Sequence, residues 1–165
     1  MEIRAANRND SAIVLKLMNH AILNTTSIYD THLRNEAYFH AWFSNKQKNN
    51  FPVFICEIQG KPVAFGTYDF FRSGSAYNCT VEHSIHVLGD FQGRKIGKTL
   101  MEKLMESAKQ EGKHAMVAGI DSENKVSLNF HSKMGFREKG RFPEIAFKFG
   151  RWLDLVMMQL LLKSP

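Results

Sequence analysis

Thr80-Val81-Glu82-His83-Ser84-Ile85-His86-Val87, then Gly89-Asp90-Phe91-Gln92-Gly93-Arg94-Lys95-Ile96-Gly97-Lys98, then Leu100, Leu104 and Ala108 at four-residue spacing, is the run whose reading decides the fold. It passes from an alternating strand through a glycine-bearing turn into a helix. A turn that opens a helix directly after a strand points several unpaired backbone N–H groups outward. Together with the positive end of the helix dipole, these donors make an anion site. Gly93 and Gly97 let a phosphate approach the backbone, and Arg94, Lys95 and Lys98 add positive charge. The same residues would also serve as an ordinary tight turn. The spacing is neither the GxxxxGK[ST] of a nucleotide-binding loop nor the GxGxxG of a dinucleotide fold.

Working outward, residues 2–6 read as a strand and Asp10 as the cap of a helix carrying Ile13, Val14, Leu17, Met18 and Ala21. Residues 23–31 read as a loop, and 34–48 as a second helix. Strands at 52–58 and 62–71 flank a Gln59-Gly60-Lys61 hairpin turn, and a third strand spans 77–88. Beyond the helix that Gly112 stops come a strand at 114–120 and a helix at 125–134 ended by Gly135, then strands at 136–142 and 153–162. The order predicts one α/β (α+β) domain over 1–165, a mixed and mostly antiparallel central sheet flanked by helices. The apolar strand 155–162 suits either a central position or an interface.

Composition narrows the function. The chain is 44% hydrophobic and 23% charged, which supports a real core. No apolar run is long enough to span a membrane, and the start shows no basic and apolar leader, so a soluble cytoplasmic protein without a membrane partner is expected. Cys56 and Cys79 lie in apolar, strand-like stretches without CxxC spacing and read as reduced packing residues. The seven histidines form no HxxxH or HExxH pair, so no metal is expected. The net charge of +6 permits an anionic cofactor or nucleic acid. No basic and aromatic stretch of the RNA-binding kind accompanies it, and no nucleic-acid partner is expected.

Two motifs now combine. Gln92-Gly93-Arg94-Lys95-Ile96-Gly97 resembles the pyrophosphate-binding Q/R-x-x-G-x-G/A of the GNAT N-acetyltransferases, with Lys95 at the first glycine position. Downstream, Asn124, Ser127, His131, Gly135 and Phe136 are similar to N-x-x-[AS]-x-x-x-[YH]-x-x-x-G-F of the same superfamily. Asn19-His20-Ala21, Thr25-Thr26, Val117-Ala118-Gly119-Ile120 and Lys148-Phe149-Gly150-Arg151-Trp152-Leu153-Asp154 resemble the phosphinothricin and methionine sulfone/sulfoximine acetyltransferase branch, almost end to end. If Lys95 simply starts the helix, a lysine fits there and its charge helps; that is the expectation.

The resemblance implies acetyl-CoA as co-substrate and a small amino-acid-like amine as acceptor. A polyamine, an aminoglycoside or a protein N-terminus is the alternative acceptor, and a non-catalytic CoA- or nucleic-acid-binding module the alternative class. Glu82 is a carboxylate in the middle of an apolar strand, costly there unless paired or used. Alternation sets Thr80, Glu82 and Ser84 on one face and Cys79, Val81, Ile85 and Val87 on the other. Glu82 is then either the general base or one residue of a half-exposed face. His131, four residues after Ser127 on one helix face, stands where the family places a tyrosine near the cofactor sulfur, and either protonates the leaving thiolate or lies on the helix surface. His83, opposite Glu82 in the alternation, reads as a packed core histidine.

Arg72 is the candidate for the substrate carboxylate, or a solvated arginine. Thr80 joins the substrate side of the strand, and Tyr29, Phe71 and Phe149 line an apolar pocket or pack as core. The resemblance assigns the backbone of Ile85, His86 and Val87 to the pantetheine amides, and one of those N–H groups to the thioester carbonyl. It assigns Gly93, Arg94, Lys95, Ile96, Gly97 and Lys98 to the pyrophosphate, Asn124 to the pantetheine arm, and Lys133 to the adenosine-phosphate end. A homodimer follows from the family alone.

Overall fold

The computed structural model describes residues 1–162. Its strands are β1 (Glu2–Ala5), β2 (Val53–Ile58), β3 (Lys61–Phe70), β4 (Thr80–Val87), β5 (Ala115–Asp121), β6 (Arg137–Lys148) and β7 (Arg151–Leu161). They form one seven-stranded sheet in the order β1-β2-β3-β4-β5-β7-β6. Every neighbouring pair is antiparallel except β4 and β5. The helices are α1 (Ser11–Asn24), α2 (Glu36–Lys48), α3 (Ile96–Gln110) and α4 (Lys125–Lys133). The expected mixed, mostly antiparallel α/β fold is what the chain adopts.

Both faces of the sheet are covered. On one, Val14, Leu17 and Met18 of α1 and Phe39 and Phe43 of α2 bury against Val53, Ile55 and Phe65. On the other, Met101, Leu104 and Ala108 of α3 pack on Tyr68, Val81, Met116 and Ala118, with Leu128 and Phe130 of α4 alongside. Burial at this density on two faces is why β3 reads as a nearly continuous apolar run rather than a clean alternation. The turn joining β2 and β3 is two residues, Gln59 (φ 51°) and Gly60 (φ 72°), the left-handed pair that matches strand twist.

Several boundaries differ from expectation. Asp10 does not cap α1 with its side chain. Its carboxylate instead accepts the Asn7 N–H at 2.8 Å and pairs with Arg4 at 2.7 Å, closing a box around the 3-10 turn Arg8–Asp10. The helix expected from 34 begins at Glu36, because the Asn35 side chain accepts the Tyr38 N–H and sets the start. Strand β4 begins at Thr80 rather than 77, since residues Ser75–Tyr77 form a 3-10 turn. Cys79 is therefore exposed, while Cys56 is buried as expected.

The C-terminal pair is longer than the residue pattern suggests. Strands β6 and β7 run to either side of a two-residue turn, Phe149 (φ 53°) and Gly150 (φ 73°). Pro143 is tolerated because β6 is an edge strand, and the register slips between Phe142 and Ala146 around Glu144 (φ 50°). Strand β7 lies between β5 and β6, so its apolar residues belong to a central strand.

Two buried lysines tie a helix and a loop to this frame. Lys46, 1% exposed, donates to the Tyr68 carbonyl at 2.7 Å and pairs with Asp69. Lys148 donates to the carbonyls of Thr25 and Ile28, both at 2.7 Å, and so pins the segment after α1 across the sheet.

Candidate active site

The parallel pair β4 and β5 is in register for only three positions, Thr80 with Ala115, Val81 with Met116 and Glu82 with Val117. Beyond Glu82 the strands part. β4 continues against β3 to Val87, and β5 against β7 to Asp121. A wedge-shaped cleft opens there, and the β5-facing peptide groups of β4 between His83 and Val87 have no strand partner among the described residues. Ile85, His86 and Val87 thus lie on the stretch of β4 that has parted from β5.

Glu82 stands at the apex. It faces the α1/α2 side, opposite Asp69 of β3, and its Oε1 lies 3.1 Å from where a Cβ on Gly119 would sit. A Cβ at 119 would press on that carboxylate, which would have to give by a few tenths of an ångström. Burial raises the Glu82 pKa, Arg72 pulls it back, Asp69 raises it further, and the Gly119 backbone lowers it. Arg72 lies over the Phe71 ring at 5.1 Å, and Phe71 packs edge-on against Tyr77. Thr80, one pleat before Glu82 on the same face, is half-buried.

Tyr29 reaches from the pinned segment to the Asp154 carbonyl at 3.4 Å. Burial, with Asp121 and Asp154 nearby, pushes its hydroxyl up to about 12. It therefore stands beside β7 as a neutral phenol. Phe149 does not line a pocket as an enclosed wall. It is exposed at the hairpin turn, with Lys148 beneath its ring at 4.8 Å.

His83 and His131 meet on the other face. Their Nε2 atoms are 3.1 Å apart and their rings stack at 5.1 Å, while His131 Nδ1 lies 2.7 Å from the Ser127 carbonyl. A carbonyl only accepts, so His131 carries its proton on Nδ1 and accepts at Nε2 from His83. His83 Nδ1 is then a buried lone pair without a partner. Burial, with His131 and His86 nearby, pushes His83 down to about 3, and burial also lowers His131. Both rings are neutral. His131 is thus buried rather than on the helix surface, and in this arrangement it turns no N–H toward the cleft; His83 is the core residue expected.

At the far end of β4 lies the turn. None of the amide N–H groups from Gly93 to Lys98 donates to a backbone carbonyl among the described residues, and the first such bond of α3 is Thr99 to Lys95 at 3.0 Å. Six consecutive amide donors are therefore left without a backbone partner where the turn enters α3, with Arg94, Lys95 and Lys98 exposed beside them and Ile96 buried as the anchor. Lys95 corrects the expectation that a lysine fits there as ordinary helix. Its φ of 64° is left-handed, the conformation glycine adopts without a Cβ clash. Relieving that clash is worth about 1–2 kcal/mol, of which the freedom of glycine in the unfolded chain takes back about 0.5–1. Lys95→Gly is accordingly expected to raise the urea midpoint slightly. A lower midpoint would show that the lysine side chain compensates for its backbone.

Gly97 has room for the Phe130 ring 3.8 Å from its missing Cβ, which sets the end of α4 beside the start of α3. Lys133, one turn beyond Phe130, is exposed on that side. Asn124 caps α4, its Oδ1 accepting the Ser127 N–H at 3.0 Å, and its amide nitrogen is left to other partners. No cluster of three or more potential metal ligands occurs among the described residues.

Three participants escaped the sequence reading. Gly119 and Asp69 shape the carboxylate's surroundings, and Arg34 lines a cavity of about 270 Å³ over the same sheet face, with Asp69, Ser84 and His86. Gly119 was visible only as part of a motif; the other two become neighbours through the sheet.

Comparison with known proteins adds a second line of observation. The Acetyltransferase (GNAT) family profile matches residues 16–136. The chain is 38% identical over 160 residues to the L-amino acid N-acyltransferase MnaT of Escherichia coli K12, covering 97% of this chain and 93% of the relative. It is 37% identical to the L-methionine sulfoximine/L-methionine sulfone acetyltransferase of Salmonella typhimurium, covering 97% and 94%. Among solved structures, the putative acetyltransferase yncA of Salmonella typhimurium, determined with its cofactor acetyl-CoA, superposes with a TM-score of 0.96 at 36% identity, over 100% of this chain and 95% of that one. A ribosomal-protein-alanine N-acetyltransferase from Brucella melitensis gives the same TM-score at 34% identity, covering 98% and 100%.

Proposed function

Because this chain belongs to the acetyltransferase (GNAT) family, we propose that it moves the acetyl group of acetyl-CoA to the α-amine of a small amino acid with an oxygen-bearing tail, of the methionine sulfone, methionine sulfoximine or phosphinothricin kind. The observation that carries this is Glu82, a partly buried carboxylate at the apex of a strand cleft, with an arginine acting on it.

The residues present fit the co-substrate. The unpaired N–H groups of Gly93 to Lys98 would hold the pyrophosphate, the cleft edge of β4 and Asn124 the pantetheine arm, and Lys133 the adenosine-phosphate end. When bound, acetyl-CoA supplies the thioester carbonyl and the thiolate leaving group. Glu82 takes the ammonium proton, directly or through a water, and frees the amine lone pair. A β4 N–H at the cleft edge donates to the carbonyl oxygen as charge develops there. His131, whose only N–H is held by Ser127, keeps α4 against β4, and the second proton that the nitrogen sheds on becoming an amide passes through solvent in the open cleft to the thiolate. Cys56 is buried and Cys79 lies on the surface before β4, so transfer is direct rather than through an acyl-cysteine.

Arg72 binds the substrate carboxylate in this reading. Arg72→Gln is expected to raise KM for the amino acid by about ten- to a hundredfold, the worth of a charged bidentate contact. It also removes the charge that favours ionised Glu82, so the acid limb of kcat/KM moves to higher pH. An unchanged KM and an unmoved limb would return Arg72 to the solvent.

The rival within the family is a different amine. A CoA-release screen over amino acids, a polyamine, an aminoglycoside and an N-terminal alanine peptide tests the choice. Turnover confined to the polyamine, aminoglycoside or peptide would replace the amino-acid assignment. The reading includes a homodimer, supported by Phe142, Ile145, Phe147 and Trp152, each at least 48% exposed on the β6–β7 hairpin.

A further inference from the structure

The cavity over β3 and β4 contains a cation whose one ion pair, with the half-exposed Asp30, is too long for a hydrogen bond. Arg34 has a side chain only 17% exposed, yet its Nε is buried with no hydrogen-bond partner. Its Nη1 meets the thioether of Met18 at 3.1 Å, a weak acceptor, and its Nη2 is 3.8 Å from Asp30, beyond hydrogen-bond reach. The Tyr38 ring covers one face of the guanidinium at 4.6 Å. The backbone of residue 34 is independently fixed, since Asn19 accepts its N–H and donates to its carbonyl, both at 2.8 Å. The guanidinium is thus held in the wall while its donors lack an oxygen.

Asp30 offers only the long ion pair, its other oxygen accepting the Thr31 and His32 N–H groups, and no other neighbour among the described residues brings an oxygen within hydrogen-bond reach of the guanidinium. Asp69 lines the cavity but pairs with Lys46, and Ser84 and Thr67 are uncharged. His86 is kept neutral at about 4 by burial and by Arg34 itself. Met18, Trp42 and Phe65 complete apolar walls. A buried donor without an acceptor is costly, a charged one more so, and an anionic oxygen entering this space gains what the free protein forgoes.

The cavity also lies at a fixed distance from the chemistry. Glu82 and Ser84 share a face of β4, one pleat apart, which is about 6.6–6.8 Å along a strand. That is the reach of a side chain of three or four heavy atoms from an α-amine held at Glu82.

We propose that Arg34 selects the substrate by its tail: the acceptor amino acid carries an anionic, oxygen-bearing group, and the guanidinium binds it in this cavity. The inference rests on the transfer reading above and goes further, because neutral sulfone and anionic phosphinate tails are no longer equivalent. L-phosphinothricin and L-methionine sulfone form the matched pair. Both are tetrahedral, each carries a terminal methyl and two oxygens, and they differ in charge.

The test is the ratio of kcat/KM for L-phosphinothricin to that for L-methionine sulfone, in the wild type, Arg34→Met and Arg34→Lys. The wild type is expected to favour phosphinothricin by at least about tenfold, the difference between a charge-assisted and a neutral hydrogen bond. Arg34→Met should bring the ratio to about one or below while leaving KM for acetyl-CoA unchanged, and Arg34→Lys should keep part of the preference. A wild-type ratio near one, or a ratio unmoved in Arg34→Met, overturns the inference and leaves the transfer reading standing. If neither amino acid is acetylated, the transfer reading fails, and the inference is decided by binding. Saturable change in the fluorescence of Trp42, which lines the cavity, read in a Trp152→Phe background, with phosphinothricin and with Arg34 intact alone supports it, and no such change overturns it.

Discussion

Glu82→Gln is expected to lower kcat by about 10²–10⁴, the usual contribution of a positioned general base, with KM for acetyl-CoA little changed. Glutamine matches the carboxylate in size and still accepts a hydrogen bond, so the Gly119 backbone and the cleft apex keep their shape. What it cannot do is take a proton. The pH profile separates this loss from a structural one. In the wild type, burial places the acid limb above the ordinary carboxylate range, and activity falls as Glu82 protonates below it. In Glu82→Gln the residual rate should lack that limb. Turnover retained within about twofold would move the base to another residue, and Asp69, directly across the strand pair, would be examined first.

Lys46→Met should produce the largest loss of stability. The substitution preserves length and apolar stem but leaves the Tyr68 carbonyl without its 2.7 Å donor and Asp69 without its cation. It also ends the contacts with the Trp42 and Phe51 rings, 5.4 and 5.8 Å from Nζ. Breaking a buried pair from one side costs about 3–5 kcal/mol, and for a chain of this size that corresponds to a fall in Tm on the order of 10 °C. Asp69→Asn should cost far less, because the Asp69 side chain is half exposed and water answers part of its loss. Thermal unfolding of the two variants side by side checks the asymmetry. A Lys46→Met protein as stable as the wild type would mean that the apolar stem, not the charge, closes the space between α2 and β3.

The sequence makes some of these features plain because they are local. Ile96, Leu100, Leu104 and Ala108 repeat every four residues and become the buried stripe of α3. Alternation in β4 separates Glu82 from Val81 and His83, and the sheet realises that separation with the carboxylate toward α1/α2 and the histidine in the core. What stays hidden depends on distant partners. The cleft exists because β5 follows β7 after Val117, a matter of pairing that no pattern within β4 announces. The left-handed backbone at Lys95 is imposed by the turn against the residue's own preference. The stretch from Pro143 to Trp152 resembles a loop by its proline and glycine, yet an edge strand absorbs the first and a tight hairpin the second. His131 meets His83 across 48 residues of chain, so its inward-facing ring is not visible from helical spacing. Arg34 stands just before a helix, and only the assembled sheet shows that its side chain is enclosed.

The central claim is that acetyl-CoA and an amino acid meet in the β4–β5 cleft and react directly. Initial rates of CoA release, with acetyl-CoA and L-phosphinothricin both varied, test it most directly. The account predicts release that depends on the amino acid, one N-acetylated amino acid per CoA, and intersecting double-reciprocal lines, the pattern of a ternary complex. Release that ignores amino acids, or parallel lines that signal an acyl-enzyme, would contradict it.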